Sequence, residues 1–217
     1  AKLSDGDRCF TVETNPETKQ MVLSGIGDMQ LKVLVSQLQE RYKVDCELRQ
    51  LKVPYRETIR KKVKVQGKHK KQSGGHGQYG DVWIEFEPNP DTEALVFEEN
   101  VFGGAVPKNF FPAVEKGLEE SVQCGILAGY PVVNLKATLV DGSYHEVDSS
   151  EMAFKIAANL AFKAGMAAAD PIILEPISKA EIHIPEDKQG DIMGDLNKRR
   201  ARIVGIDADD DGSVIHC

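Results

Sequence analysis

Two short stretches concentrate the side chains able to do chemistry. The first, Gly75-His76-Gly77-Gln78-Tyr79-Gly80, matches G-x-G-x-x-G letter for letter. A dinucleotide fingerprint needs a strand before that loop and a helix after it, so that a helix N-terminus meets the pyrophosphate. Here Val82-Trp83-Ile84 continue as a strand pattern, and Asp81-Val82 stand where a phosphate loop has Lys-Ser/Thr. A carboxylate in that place repels phosphate, which excludes a nucleotide cradle. The second stretch, Ser143-Tyr144-His145-Glu146-Val147-Asp148-Ser149-Ser150, holds hydroxyl, imidazole and carboxylate groups together. A Ser-His-Asp triad gathers from distant segments, not from neighbours at one helix entrance. His145, Glu146 and His76 have no recognisable metal-ligand spacing, and Cys9, Cys46, Cys124 and Cys217 form no C-x-x-C pair. The expectation is no catalytic residue, no metal site and no cofactor within these residues.

Contact chemistry with a polyanion fits better. Residues 60–71 carry seven Lys/Arg and no acid, among them Lys61, Lys62, Lys64, Lys68, Lys70 and Lys71. Net charge is −7, so the other 20 Lys/Arg face all 34 Asp/Glu, and residues 81–100 alone hold seven acids. Local field, not net charge, decides where a nucleic acid docks. A basic strand leading into a loop of four glycines with His76, Gln78 and Tyr79 suits RNA, through phosphate attraction and base stacking. The plain alternative is a solvated strand face joined to a hairpin link. For Ser143–Ser150 the alternative to catalysis is a tip loop that presents Tyr144 and His145 beside a helix N-terminus. Lys198-Arg199-Arg200 need no more than the helix dipole to account for them.

The elements that must position these loops follow from periodicity. Residues 9–26 have the pattern of a hairpin about Asn15-Pro16-Glu17-Thr18, and Asp28–Tyr42 that of a helix with Leu31, Leu34, Val35 and Leu38 on one stripe. A strand is expected through Cys46-Glu47-Leu48, and Pro54 marks a boundary. Beyond it, strands are expected over Ile59–Val65, over Val82–Glu87 with Trp83 in the core, and over Pro131–Val140. Pro107 and Pro112 open a helix with Val114, Leu118, Val122 and Ile126 on one face. Asp148 with Glu151 has the form of a capping box for a helix whose stripe is Met152, Ile156 and Leu160 with Ala153, Ala157, Ala161 and Ala164. Small residues there imply close packing on a sheet. After Pro171 come one strand within Ile172–Ile184, a helix over Asp191–Arg200, and a hairpin around Asp209–Gly212.

With 217 residues, 41% of them apolar and 28% charged, the chain suits one to two globular domains. No apolar run approaches the ~18 residues that span a bilayer. Sparse cysteines favour a reducing compartment, so a cytoplasmic location is expected. The chain starts on Ala1 and stops at Cys217 inside a strand pattern, as a piece of a longer protein would.

Five motifs in order resemble bacterial translation elongation factor G: Pro54-Tyr55-Arg56-Glu57-Thr58-Ile59, Ser73–Gly80, Leu127-Ala128-Gly129-Tyr130-Pro131-Val132, Gly142–Glu151 and Leu174-Glu175-Pro176-Ile177. The resemblance runs from about residue 20 to the end and implies an α+β fold in three parts. These are a partial ferredoxin-like third domain over 1–53, a ribosomal-protein-like βαβ fourth domain over 54–171 with an uncommon left-handed crossover, and a truncated ferredoxin-like fifth domain over 172–217. It also implies the ribosome as partner: the fourth domain enters the small-subunit decoding region during translocation and contacts small-subunit RNA and the tRNA–mRNA duplex. By motif the contacting loops are Ser73, Gly74, Gly75, His76, Gly77, Gln78, Tyr79 and Gly80, with Ser143, Tyr144, His145, Glu146, Val147, Asp148 and Ser149. GTP and Mg belong to an N-terminal domain of the whole factor, and a monomer without membrane attachment is expected. His76 replaces the family's usual Arg, and Met29-Gln30 replaces Leu-His. A recycling or ribosome-protection paralogue, or a stand-alone RNA-binding module, therefore stays open.

Overall fold

The computed structural model describes residues 9–72, 77–209 and 212–217, which fall into two compact units, Ala1–Glu175 and Pro176–Cys217. Ser73, Gly74, Gly75 and His76 of the first loop lie outside the described residues, as do Asp210 and Asp211 of the last hairpin.

The first unit opens with the expected hairpin, β1 (Thr11–Thr14) against β2 (Met21–Ser24). Asn15 turns the chain, its Oδ1 accepting from the amides of Glu17 and Thr18 at 2.9 and 3.1 Å. The helix α1 spans Asp28–Tyr42 and ends on Lys43 in the left-handed conformation. Residues 43–55 form no strand, so the strand expected at Cys46-Glu47-Leu48 is not present. Those three residues are exposed, and among the described residues no neighbouring strand completes their ladder.

One four-stranded sheet carries the main core, in the order β4 (Val63–Lys71), β5 (Gln78–Pro88), β7 (Leu135–Ser143), β6 (Val96–Glu99). The pair β6–β7 is parallel and the others antiparallel. The acidic segment 81–100 thus contributes the edge strand β6, which its charge had hidden. The expected strand Ile59–Val65 divides into β3 (Arg56–Ile59) and β4, because β3 pairs instead with β8 (Pro171–Leu174). Residues 172–184 accordingly hold two strands, β8 and β9 (Glu181–Ile184), where one was expected.

Two helices cover one face of the sheet. The first, α2 (Phe111–Ser121), buries Phe111, Val114 and Leu118, but it stops short of Ile126, which is exposed. The second, α3 (Glu151–Ala168), packs on β4 and β5 through Ala153, Phe154, Ala157, Ala158, Ala161 and Phe162. The expected stripe is rotated: Met152, Leu160 and Ala164 are exposed, and Phe154, Phe162 and Met166 take their place in the core. Phenylalanines at positions between the alanines fill the space that the small residues leave beside the strands. The approach is close enough that a Cβ at Gly67 would run into the Ala157 carbonyl, and one at Gly80 would lie 2.7 Å from the Ala153 carbonyl carbon.

A bulge decides which residues reach the other face. Along β7 Leu135, Ala137 and Leu139 face the core, but the register against β5 shifts between Trp83 and Ile84, leaving Val140 as the extra residue. Beyond it Gly142 opposes the core residue Val82, while Asp141 and Ser143 move to the open face opposite Trp83 and Asp81. One residue of slip exchanges the two faces of a strand. Trp83 is half-buried on that open face rather than in the core, with Lys64 Nζ 5.8 Å from its ring centre.

The second unit orders β10 (Gly205–Asp209), β11 (Gly212–His216) and β9 in one antiparallel sheet, with α4 (Gln189–Lys198) beside it. Ile184, Leu196 and Ile215 form its core. The expected helix and hairpin are both present there.

Candidate nucleic-acid interface

The β4–β5 hairpin and the loop between β7 and α3 meet at one end of the sheet. Asp148 joins them: Oδ1 accepts from the Gly77 amide at 2.9 Å, and its carbonyl accepts from the Tyr79 amide at 2.8 Å. A side chain at Gly77 would occupy the space of the Asp148 carboxylate, its Cβ lying 2.9 Å from Cγ. The capping role expected for Asp148 belongs instead to Ser150, whose Oγ accepts from the Ala153 amide at 3.2 Å. Ser150 has the extended backbone of a cap residue, whereas the carboxylate of Asp148, two residues earlier, is turned across to the other loop.

Ser149 closes the second loop. Its hydroxyl donates to the Tyr79 carbonyl at 3.0 Å and accepts from the His145 amide at 2.9 Å, and its own amide donates to the His145 carbonyl at 3.0 Å. His145 is therefore held at both backbone groups while its side chain stays exposed. The imidazole stands edge-on to Tyr79, ring centres 4.6 Å apart. Tyr144, Glu146 and Val147 are exposed beside it, Val147 at 73%. Tyr79 itself is only 9% exposed, so the phenol supports His145 and offers no open stacking face. Gln78 is exposed, and its Oε1 accepts from His69 Nε2 at 2.9 Å.

The basic residues do not act as one block. Lys61 and Lys62 precede β4. Lys61 lies 3.8 Å from Asp170, and Lys62 lies 2.9 and 3.3 Å from Glu85 and Glu87. Lys136 bridges Glu87 and Glu98 at 3.3 and 3.0 Å, which completes an ion-pair ladder across the open face. The hydrogen bonds from Lys136 and Lys62 hold the Glu87 carboxyl below the usual carboxylate range. Glu85 and then Glu87 push the Lys62 ammonium up, as Glu98 and then Glu87 do for Lys136. Nearer the tip Lys64 sits over Trp83, and Lys68 lies 5.6 Å from the Tyr79 ring centre and 3.9 Å from Asp81. Lys70 and Lys71 are exposed at the end of β4, next to the two loops. Lys62 and Lys136 are thus matched by acids on the open face, whereas Lys70 and Lys71 stand exposed beside two loops that also carry Glu146 and Asp148.

Two buried acids carry more of the architecture than their sequence context announced. Asp81, 6% exposed, accepts from Gln66 Nε2 at 2.8 Å and from Ser143 Oγ at 2.7 Å. The strand alternation that aligns Asp81 with Tyr79 and Trp83 was the available signal. Glu57, 1% exposed, accepts from the amides of Leu127, Ala128 and Tyr130 at 3.0, 2.8 and 3.2 Å. This explains why Leu127-Ala128-Gly129-Tyr130 occurs as a motif: Gly129 takes φ +79°, which turns successive amides toward one carboxylate. Among the described residues no group of three His, Cys, Asp or Glu could hold a metal ion, and no helix is long and apolar enough to cross a membrane.

Comparison with known proteins divides the chain among three family models. Residues 1–50 match the family model of elongation factor G domain III, residues 51–170 that of domain IV, and residues 172–217 that of the elongation factor G C-terminus. A crystal structure of a protein from Thermus thermophilus is similar, with TM-score 0.88 and 46% identity over 99% of this chain. The match covers 32% of that protein, so the chain spans well under two thirds of its length. The three matched segments leave out only Pro171, and none of them is a GTPase domain. With these segments in the family's own order, the chain belongs to the elongation factor G family.

Proposed function

We propose that this chain is the ribosome-contacting portion of a translational GTPase, and that its tip enters the small-subunit decoding region to promote movement of tRNA and mRNA. The single observation that carries this reading is the meeting of Gln78–Gly80 with Ser143–Ser149 at one end of the sheet, with His145 exposed and fixed by its backbone. A single-stranded or splayed RNA segment is recognised by hydrogen bonds and stacking, and an exposed imidazole offers both. Lys70 and Lys71 supply attraction to phosphate beside it. In this reading the parts divide at 53/54 and 171/172, the outer parts are ferredoxin-like, and the middle part has the left-handed crossover. GTP and Mg act on another domain of the whole cytoplasmic, monomeric factor.

The test is His145→Ala in the full-length factor, measured by single-round translocation, GTP hydrolysis and thermal melting. Translocation slows while hydrolysis and melting stay near wild type, because an exposed substitution shifts stability by about 0.5 kcal/mol or less. Normal translocation with a lowered melting temperature would make His145 a structural residue. Normal translocation combined with lost ribosome splitting would move the assignment to recycling.

A further inference from the structure

The geometry points to Tyr79, Ser143 and Asp81 as a positioning relay that sets the His145 imidazole from beneath. The significance of that imidazole for the ribosome rests on the function proposed above; the relay itself rests on the contacts. Ser143 Oγ gives its one proton to Asp81 Oδ2 at 2.7 Å. Tyr79 Oη lies 2.7 Å from the same Oγ, so the phenol must be the donor in that pair. Asp81 is anchored in turn, its second oxygen accepting from Gln66 Nε2 at 2.8 Å. The direction of every bond is therefore determined, from Tyr79 through Ser143 to a buried carboxylate.

The consequence falls on the ring. The Tyr79 ring is 9% exposed and its hydroxyl is tied to Ser143 at 2.7 Å, and His145 packs edge-on against that ring at 4.6 Å. Lys68 Nζ, 5.6 Å from the phenol centre, adds a cation near the same ring. Backbone bonds through Ser149 fix where His145 starts; the relay fixes the surface its side chain rests on. The bulge at Val140 is what makes this possible, since without it Ser143 would face the helices. Asp81 thus acts two side chains away from the group that meets the partner, and none of the three needs to touch RNA.

Histidine ring C–H signals of the 217-residue chain, with His145 identified by its loss in His145→Gln, provide the test. In Ser143→Ala and in Tyr79→Phe the His145 signals shift toward those of a free, solvent-exposed histidine. In Ser143→Thr, which keeps the hydroxyl, they return to the wild-type position. Ser150→Ala removes the α3 cap, a purely structural loss, and leaves them in place. The relay is overturned if the His145 signals stay put in folded Ser143→Ala and Tyr79→Phe, or if Ser150→Ala moves them as far. No ribosome enters this measurement, so failure of the decoding-site reading shows separately, as normal translocation by His145→Ala.

Discussion

Removing the Glu57 carboxylate should be among the most damaging single changes to the first unit. The side chain is 1% exposed and satisfies three backbone amides in one short loop, while its own backbone pairs with Pro131 and Val133. Glu57→Ala orphans all three donors. An unsatisfied buried donor costs about 1–3 kcal/mol, but Leu127 is half exposed and water can reach part of the loop. The lower end for each donor gives about 3–4 kcal/mol, against a total stability of about 5–15 kcal/mol for a domain. Glu57→Gln keeps the shape and one acceptor oxygen, but it turns an N–H₂ toward the Leu127 amide that Oε2 now receives. One orphan remains, at about 1–3 kcal/mol. Urea unfolding followed by fluorescence of Trp83, the single tryptophan, reads both changes from within the same unit. The expected order is wild type, then Gln, then Ala, with unchanged denaturant slopes. A Glu57→Ala stability within about 1 kcal/mol of wild type, on the order of one exposed hydrogen bond, would refute the account of this loop as a carboxylate nest.

Ser150→Ala lowers stability by about 1 kcal/mol through the lost cap, and thermal melting should show Asp148→Ala leaving the helix cap itself intact. Gly67→Ala drives a methyl into the α3 backbone at Ala157 and Ala161; a cost of about 3 kcal/mol, at the top of the overpacking range, is expected in urea unfolding. The depressed Glu87 carboxyl gives stability that is present above its unfolded pKa and lost as pH falls through its lower folded value. Glu87→Gln should therefore flatten the decline of melting temperature below about pH 4, more visibly at low salt than at high.

Local pattern was enough for much of the framework. The Asp28–Tyr42 helix, the first and last hairpins and the small-residue contact between α3 and the sheet all follow from spacing and turn chemistry, which act within a few residues. Both tip loops were legible as polar, glycine-rich or hydroxyl-rich segments flanking regular elements. Tertiary structure decided what spacing cannot carry. Periodicity assigned Trp83 to the core and Met152 to a buried stripe, yet the face of a strand or helix that counts as inside depends on what packs against it. The Asp148 carboxylate has a near partner in sequence and a better one 71 residues away, and only the fold brings Gly77 within reach. Ser143 reaches Asp81 because a one-residue bulge, set by pairing with β5, reverses the strand's phase. Contacts between distant segments form once the backbone is folded, and no local rule within either segment encodes the distance between them.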